Sequence, residues 1–481
     1  MRGYDRLFIG GNWERSTGTD VLDVHSPHST ELVGRTPAAT TADVDRAVAA
    51  ARDAFDTGPW PRLAPRERIA LLRRFAELYV ARAPEFAELI TAEMGSPIGF
   101  SQTGQTLAPW LLLTTLADLA ETYPWEAERT GVLGDPITVR REPVGVVGAI
   151  VPWNVPQAAI MSKLAPALLA GCTVVVKPAP ETALDALALA EVIAEVGFPA
   201  GVVSVLPAGR EIGEHLVTHP GIDKIAFTGS TAAGRRIAAL CGERLRRVTL
   251  ELGGKSAAII LDDADLAATV DGLKMASFMN NGQACVAQTR ILASRARYAE
   301  VVDALADLVA TLRVGDPADP ATDIGPLVAA RQQERVEHYI TLGQAEGARV
   351  VAGGNGRPPG QPVGWYVRPT VFADASNDMR IAREEIFGPV LTVIPYADEA
   401  QAVELANDSE YGLAGSVWTA DAERGLDVAR RVRTGTFAVN RYTTDFAAPF
   451  GGYKASGIGR EHGPEGFDAY VELKSIAGPA T

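Results

Sequence analysis

Val144-Gly-Val-Val-Gly-Ala-Ile-Val151 is apolar throughout, rich in valine and closed by Pro152, which predicts a strand buried on both faces. Thr173-Val-Val-Val-Lys177 repeats the pattern, and beyond it strands and helices take turns. A helix is predicted over Ala183 to Glu195, ended by Gly197 and Pro199. Then follow a strand at Val202 to Leu206, a helix at Ile212 to Val217 and a strand at Lys224 to Thr228. A helix at Ala232 to Cys241 and a strand at Val248 to Leu252 complete the series. Such alternation across short connections predicts a parallel sheet covered by helices.

Upstream, the chain reads as helical, with helices over Thr41 to Phe55, Arg66 to Arg82 and Gln102 to Ala120. Downstream, a second series of strands and helices runs from Ala264 to about Ala438. The Gly353 to Gly364 stretch within it reads as a surface loop. Ile137 to Arg141 alternates, as does Asp468 to Ile476, where Tyr470, Glu472 and Lys474 oppose Val471 and Leu473. The latter reads as an edge strand. The fold class is therefore α/β, with two α/β units, a hairpin and a tail strand.

Composition narrows the function. The chain has 481 residues, 47% hydrophobic and 22% charged, which excludes a disordered protein. Its net charge of −14, with no basic stripe, argues against nucleic acid as a partner. No apolar run reaches the ~18 residues of a membrane span, and the N-terminus lacks a signal-peptide pattern. Three cysteines, Cys172, Cys241 and Cys285, are too few for a disulfide framework. A cytoplasmic location is expected, where a free thiol survives.

Four stretches carry chemistry. In Phe278-Met-Asn-Asn-Gly-Gln-Ala-Cys285 a helix should stop at Asn281-Gly282 and leave Cys285 just past a turn. Cys285 reads either as a nucleophile whose adduct faces backbone amides or as a small buried hydrophobe. Cys172 and Cys241, in apolar surroundings, read as hydrophobes. In Leu250-Glu-Leu-Gly-Gly-Lys255 a carboxylate ends a buried strand. Glu251 reads as a desolvated general base, or as a strand-end residue paired with Lys255. In Val151-Pro-Trp-Asn-Val-Pro156 two prolines fix the amide of Asn154, which suits an oxyanion donor or a simple turn residue. Phe227-Thr-Gly-Ser-Thr-Ala-Ala-Gly234 reads as a phosphate-binding helix start or as an ordinary strand-to-helix turn.

Taken together and in this order, these stretches resemble the NAD(P)-dependent aldehyde dehydrogenases, in their hydrolytic branch. Gly282-Gln-Ala-Cys285 and Leu250-Glu-Leu-Gly-Gly-Lys-Ser256 match that family's two active-site signatures. Trp153-Asn154, Lys177-Pro178, Phe227-Thr-Gly-Ser230, Glu384-Glu-Ile-Phe-Gly-Pro389 and Pro449-Phe-Gly-Gly-Tyr-Lys454 match as well, and the likeness begins at Phe8-Ile-Gly-Gly-Asn-Trp13. The resemblance implies a Rossmann-like cofactor domain (1–121 with 144–252), a catalytic domain (253–455) and a β oligomerisation element (122–143 with 466–481). It implies a homodimer or homotetramer. It also implies that Cys285 attacks an aldehyde, that Asn154 and the Cys285 N–H hold the oxyanion, and that Glu251 activates the water that hydrolyses the thioester. Lys163 and Glu461 match positions of a proton exit path. The cofactor would meet Trp153, Lys177, Gly229, Ser230, Leu252, Glu385 and Phe387.

NAD is the expected cofactor. NADP is also admitted, because where many NAD-preferring members carry a glutamate this chain has Pro180, with Glu181 next. Positions matching the family's aldehyde tunnel are Val155, Ala159, Ser162, Ala284, Val286, Tyr442 and Phe450. They are mostly small or apolar, which implies an uncharged, moderately hydrophobic aldehyde. The six histidines (His25, His28, His215, His219, His338 and His462) lie in none of the motifs read as catalytic. Thiol activation is thus expected from backbone dipoles and Glu251. No Cys/His spacing suits a metal, so none is expected. Alternatives on the same fold are a CoA-acylating semialdehyde dehydrogenase, which usually lacks the glutamate base, and a catalytically silent structural relative. A plain thiol esterase would not need the cofactor residues.

Overall fold

A computed structural model describes residues 2–478. Met1 and residues 479–481, the end of the expected 466–481 element, lie outside the described residues.

The strands predicted from Val144 onward form the middle of an eight-stranded sheet. Its order is Gly457–Ile458, Arg247–Glu251, Lys224–Thr228, Val146–Ile150, Thr173–Lys177, Val203–Val205, Leu7–Ile9 and Asn12–Glu14. The five strands from Arg247–Glu251 to Val203–Val205 are parallel. The strands flanking them join antiparallel. In chain order the parallel strands start at Val146–Ile150, step outward to Val203–Val205, then return to the other side at Lys224–Thr228. That reversal sets Ile150 beside Phe227. It opens a crevice at the carboxyl ends of the strands, where open α/β sheets bind ligands.

The second sheet has seven strands, in the order Arg349–Ala352, Thr370–Ala373, Val390–Tyr396, Gln288–Ser294, Ser256–Ile260, Gly415–Trp418 and Ala438–Val439. All but the first run parallel. The chain passes from Arg247–Glu251 straight into Ser256–Ile260 through Leu252-Gly-Gly-Lys255. The carboxyl ends of the first sheet therefore adjoin the amino ends of the second. The two glycines of that link are required by close approach. A Cβ on Gly253 would lie 2.5 Å from the Glu385 carboxylate, and one on Gly254 would lie 2.4 Å from the Cys285 carbonyl oxygen.

The helix Pro156–Ala170 follows Asn154 and is buried along nearly its whole length. It is anchored in the core shared with Leu112, Leu116, Val174 and Phe467. The expectation of a helical N-terminal part needs correction. Helices do occupy Thr41–Asp56 and Pro65–Ala81, and a further one covers Ala83–Met94. Before them, however, come five short strands between Arg2 and Pro37. Three of them have only two or three residues, too few to show periodicity, and Leu7–Ile9 pairs with Val203–Val205, a partner remote in sequence. The helix expected from Gln102 opens instead with π-helical turns over Ser101–Leu107, and α-helix resumes at Ala108–Thr122.

Val471–Ala477 pairs along its length with Pro136–Pro143 and forms one edge of a three-stranded sheet completed by Glu126–Thr130. Val471 is buried but Leu473 is 68% exposed, because the strand runs out beyond the body of the molecule. No helix among the described residues is long and apolar enough to cross a membrane.

Candidate active site

Cys285 follows a rigid turn. The helix Leu266–Phe278 ends, and Asn280, Asn281 and Gly282 then take left-handed conformations in succession (φ 53°, 63° and 74°). Asparagine tolerates that region, and its side chain fixes the turn. The Asn281 amide donates to the carbonyls of Gly95 (2.8 Å) and Pro326 (2.9 Å), and its oxygen accepts from Gly325 N (2.7 Å). Gln283 Oε1 accepts from Val328 N at 3.0 Å. Cys285 itself is half-buried, beside Ala284, Val286, Met279, Tyr442 and Phe450. Burial, then Glu385 and Glu251, push its thiol up to about 12, while its own N–H and that of Val286 pull the other way. A neighbouring carboxylate opposes ionisation and can assist only by accepting the proton.

Glu251 ends its strand between Thr228 and Gly457. The carboxylate is buried, and neither oxygen has a hydrogen-bond partner among the described residues. Burial first, then repulsion from Glu461, holds its pKa well above the ordinary carboxylate range, with Lys163 and Arg460 opposing. The ion pair with Lys255 is not formed. Lys255 Nζ is buried without a partner. Lys163 and Glu461 do pair, at 2.6 Å, with the lysine side chain wholly buried and the glutamate 8% exposed. Lys163 Nζ also donates to Thr228 Oγ1, on the residue paired with Glu251.

Asn154 is drawn into the cysteine loop. Its Nδ2 donates to the carbonyl of Gln283 at 2.9 Å, two residues before Cys285. Its own backbone carbonyl accepts from Gln105 Nε2 and Asn280 Nδ2, both at 2.8 Å. One amide hydrogen of Asn154 is left over. Sequence reading took Asn281 only as a helix stop and did not single out Gln105, Asn280 or Gln283. The signal for Asn280 was the Asn-Asn-Gly run that stops the helix, whereas Gln105 lies within the π-helical turns.

The crevice of the first sheet suits a dinucleotide. Lys177, Arg210, Gly213, Glu214, Phe227 and Ile237 help line a cavity of about 130 Å³. Beside it Ser230 caps the helix Thr231–Gly242, leaving its first N–H groups toward the opening after Gly229. Leu252 packs under Gly234, where a Cβ would lie 2.4 Å from the leucine. Lys177 Nζ donates to the carbonyls of Pro178 (2.9 Å) and Ala208 (2.6 Å), and burial lowers its pKa to about 8. One hydrogen of the ammonium remains free to donate. Glu385 accepts from Gly254 N at 3.0 Å, and Phe387, itself left-handed (φ 65°), sits edge-on to Trp153 at 5.4 Å. Glu181 is ion-paired with Arg331.

Of the tunnel positions, Ala284, Val286, Tyr442 and Phe450 gather around Cys285. Val155 and Ala159 sit on the first sheet's core, and Ser162 is buried on Pro156–Ala170. One histidine lies beside these positions. His462 is buried, with Nε2 2.9 Å from Ser162 Oγ and its ring against Phe450 and Phe446. Its sequence signal was adjacency to Glu461.

Residues 13–476 match the model of the aldehyde dehydrogenase family. Geranial dehydrogenase of Castellaniella defragrans is 50% identical over 473 residues, 98% of either chain. A Mycobacterium tuberculosis aldehyde dehydrogenase solved with NAD+ superposes with a TM-score of 0.98 at 52% identity, covering 99% of this chain and 98% of that one. A cysteine-to-alanine variant of aldehyde dehydrogenase C from Pseudomonas syringae, with NAD+ and octanal, gives 0.96 at 41% identity, covering 99% and 98%.

Proposed function

The chain belongs to the aldehyde dehydrogenase family and is an NAD-dependent aldehyde dehydrogenase, and on that premise we propose that it oxidises an uncharged, moderately hydrophobic aldehyde to its acid through a thioester on Cys285. The observation that carries this reading is the buried, partnerless carboxylate of Glu251 in the crevice shared with Cys285.

In this mechanism Cys285 Sγ bonds to the aldehyde carbon as its proton leaves to Glu251. The oxygen becomes an oxyanion, held by the free Nδ2 hydrogen of Asn154 and the Cys285 N–H. Losing one such donor typically costs ~10²- to 10³-fold in rate. NAD, when bound, supplies the acceptor for the hydride that leaves the carbon. Lys177, Gly229, Ser230 and Leu252 hold its adenosine and pyrophosphate, while Glu385, Phe387 and Trp153 hold the nicotinamide end. Glu251, discharged through Lys163 and Glu461, then takes a proton from water. The hydroxide adds to the thioester carbon, the C–S bond breaks, and Cys285 recovers its proton.

The two-part division at Leu252 follows from the same reading, with 1–121 and 144–252 serving the cofactor and 253–455 the thiol. The exposed edge of Val471–Ala477 is the face on which a second copy docks. The substrate class rests on the apolar Val155, Ala159, Ala284, Val286 and Phe450, among which no cation stands to grip a second carboxylate. The relative acting on geranial and the octanal-bound relative carry substrates of the same kind. Glu251 also favours hydrolysis over transfer to CoA.

The test is an aldehyde panel run with NAD and with NADP in the absence of CoA. Reduction of cofactor with octanal-like substrates is expected. A strict requirement for CoA, or turnover confined to charged semialdehydes, contradicts the proposal.

A further inference from the structure

His462 stands in a conformation that costs energy, and its side chain makes one hydrogen bond, to Ser162. Its φ of 59° with a ψ of 174° lies in a region that essentially only glycine enters freely. Its ring is buried between Phe446 and Phe450, Nε2 meets Ser162 Oγ at 2.9 Å, and Nδ1 has no partner. The same two segments are tied once more, one residue along, by the 2.6 Å pair of Lys163 and Glu461. A third tie is the two-way backbone bridge between Phe450 and Glu461, at 2.7 and 2.8 Å. Ser162 and Lys163 are adjacent on a buried helix, so the bond at 162 fixes the height at which the next residue of the other segment meets Lys163.

We propose that His462 is a positioning residue: its bond to Ser162 holds the strained 461–462 turn so that Glu461 stays on Lys163 and Glu251 can discharge its proton. This rests on the reading of Lys163 and Glu461 as the proton exit. The imidazole serves as a neutral hydrogen-bonding ring, since burial lowers its pKa to about 4. Chemistry at Cys285 before the thioester does not pass through this contact, so only the hydrolytic half of the cycle depends on it.

The experiment compares His462→Gly, His462→Asn, Ser162→Ala and the Gly/Ala double variant with the parent enzyme, reading the burst of reduced cofactor and the steady rate separately. Glycine relieves the backbone strain but removes the bond, whereas asparagine keeps the strain and a polar atom that can reach Ser162. The expected result is an unchanged burst with His462→Gly. Its steady rate falls about tenfold, short of the ~10²-fold that a 1 Å misplacement of a reacting group costs. Ser162→Ala should fall equally, the double variant no further, and His462→Asn should recover part of the rate. A His462→Gly enzyme with parental steady rate overturns the proposal, as does a loss confined to KM or to the burst. Glu461→Gln is measured alongside. If it leaves the steady rate intact, the proton-exit reading fails. If it slows hydrolysis and His462→Gly does not, only the role of His462 fails.

Discussion

Glu251→Gln separates two consequences of one buried carboxyl group. Neither oxygen of Glu251 accepts a hydrogen bond, so the isosteric amide forfeits none. The native group keeps its proton far above the usual value of 4.5, chiefly through burial. Below about pH 4.5 both folded and unfolded chains are protonated, and the site adds no pH dependence. Above it the unfolded chain ionises while the native one does not. Stability then falls by about 1.4 kcal/mol per pH unit until the raised native pKa is reached. Glutamine is neutral in both states and removes that slope. The variant should therefore gain on the parent enzyme steadily as pH rises through the window, read from paired denaturant midpoints. Activity moves the opposite way, because a general base contributes ~10²- to 10⁴-fold. Stopped-flow absorbance should show a slowed burst of reduced cofactor, because the Cys285 proton has lost its acceptor, and then a stall. Steady turnover near the parental rate, or a stability gap that stays constant or narrows with pH, refutes the reasoning.

Asn154→Ala should slow the burst itself, lowering kcat/KM by ~10²- to 10³-fold. Stability should change little, because Asn280 Nδ2 still reaches the Gln283 carbonyl at 3.2 Å; a normal burst followed by slow turnover would exclude the oxyanion role. With its thiol pushed up to about 12, Cys285 of the free enzyme should react with iodoacetamide about tenfold faster per pH unit between about pH 7 and about pH 10. A plateau near neutrality would show a thiolate already formed. Arg331→Ala frees the Glu181 carboxylate, and should weaken NADP relative to NAD by about 1 kcal/mol, roughly fivefold in the kcat/KM ratio. An unchanged ratio places the 2′-phosphate away from Glu181.

Much of the site was legible because its chemistry is local. Cys285 follows a helix stop written in Asn281-Gly282, and Glu251 ends a strand written in valine and leucine followed by two glycines. What was hidden depended on partners far away in the chain. Leu7–Ile9, three residues long, has no periodicity of its own and joins its sheet where Val203–Val205 offers an edge. Gln105 lies in a stretch read as ordinary helix, and it reaches Asn154 only because π-helical turns rotate it there. The Glu251–Lys255 pair was a fair reading of neighbours four apart, yet the intervening link carries the two side chains into different sheets.

By itself the sequence determined the α/β class, the parallel sheet from Val144 onward and the residue types at the crevice. Periodicity, strand composition and turn glycines act over a few residues and need no partner to be read. Tertiary structure decided how the crevice is assembled. It set the carboxyl ends of one sheet against the amino ends of another, brought Asn154 to the Cys285 loop, and closed Lys163 onto Glu461 in a buried pair. It also tied Glu181 to Arg331 and placed His462 on Ser162. Such pairings join residues more than a hundred positions apart, and burial, which sets the protonation of Glu251 and Cys285, exists only once both sheets have closed around them.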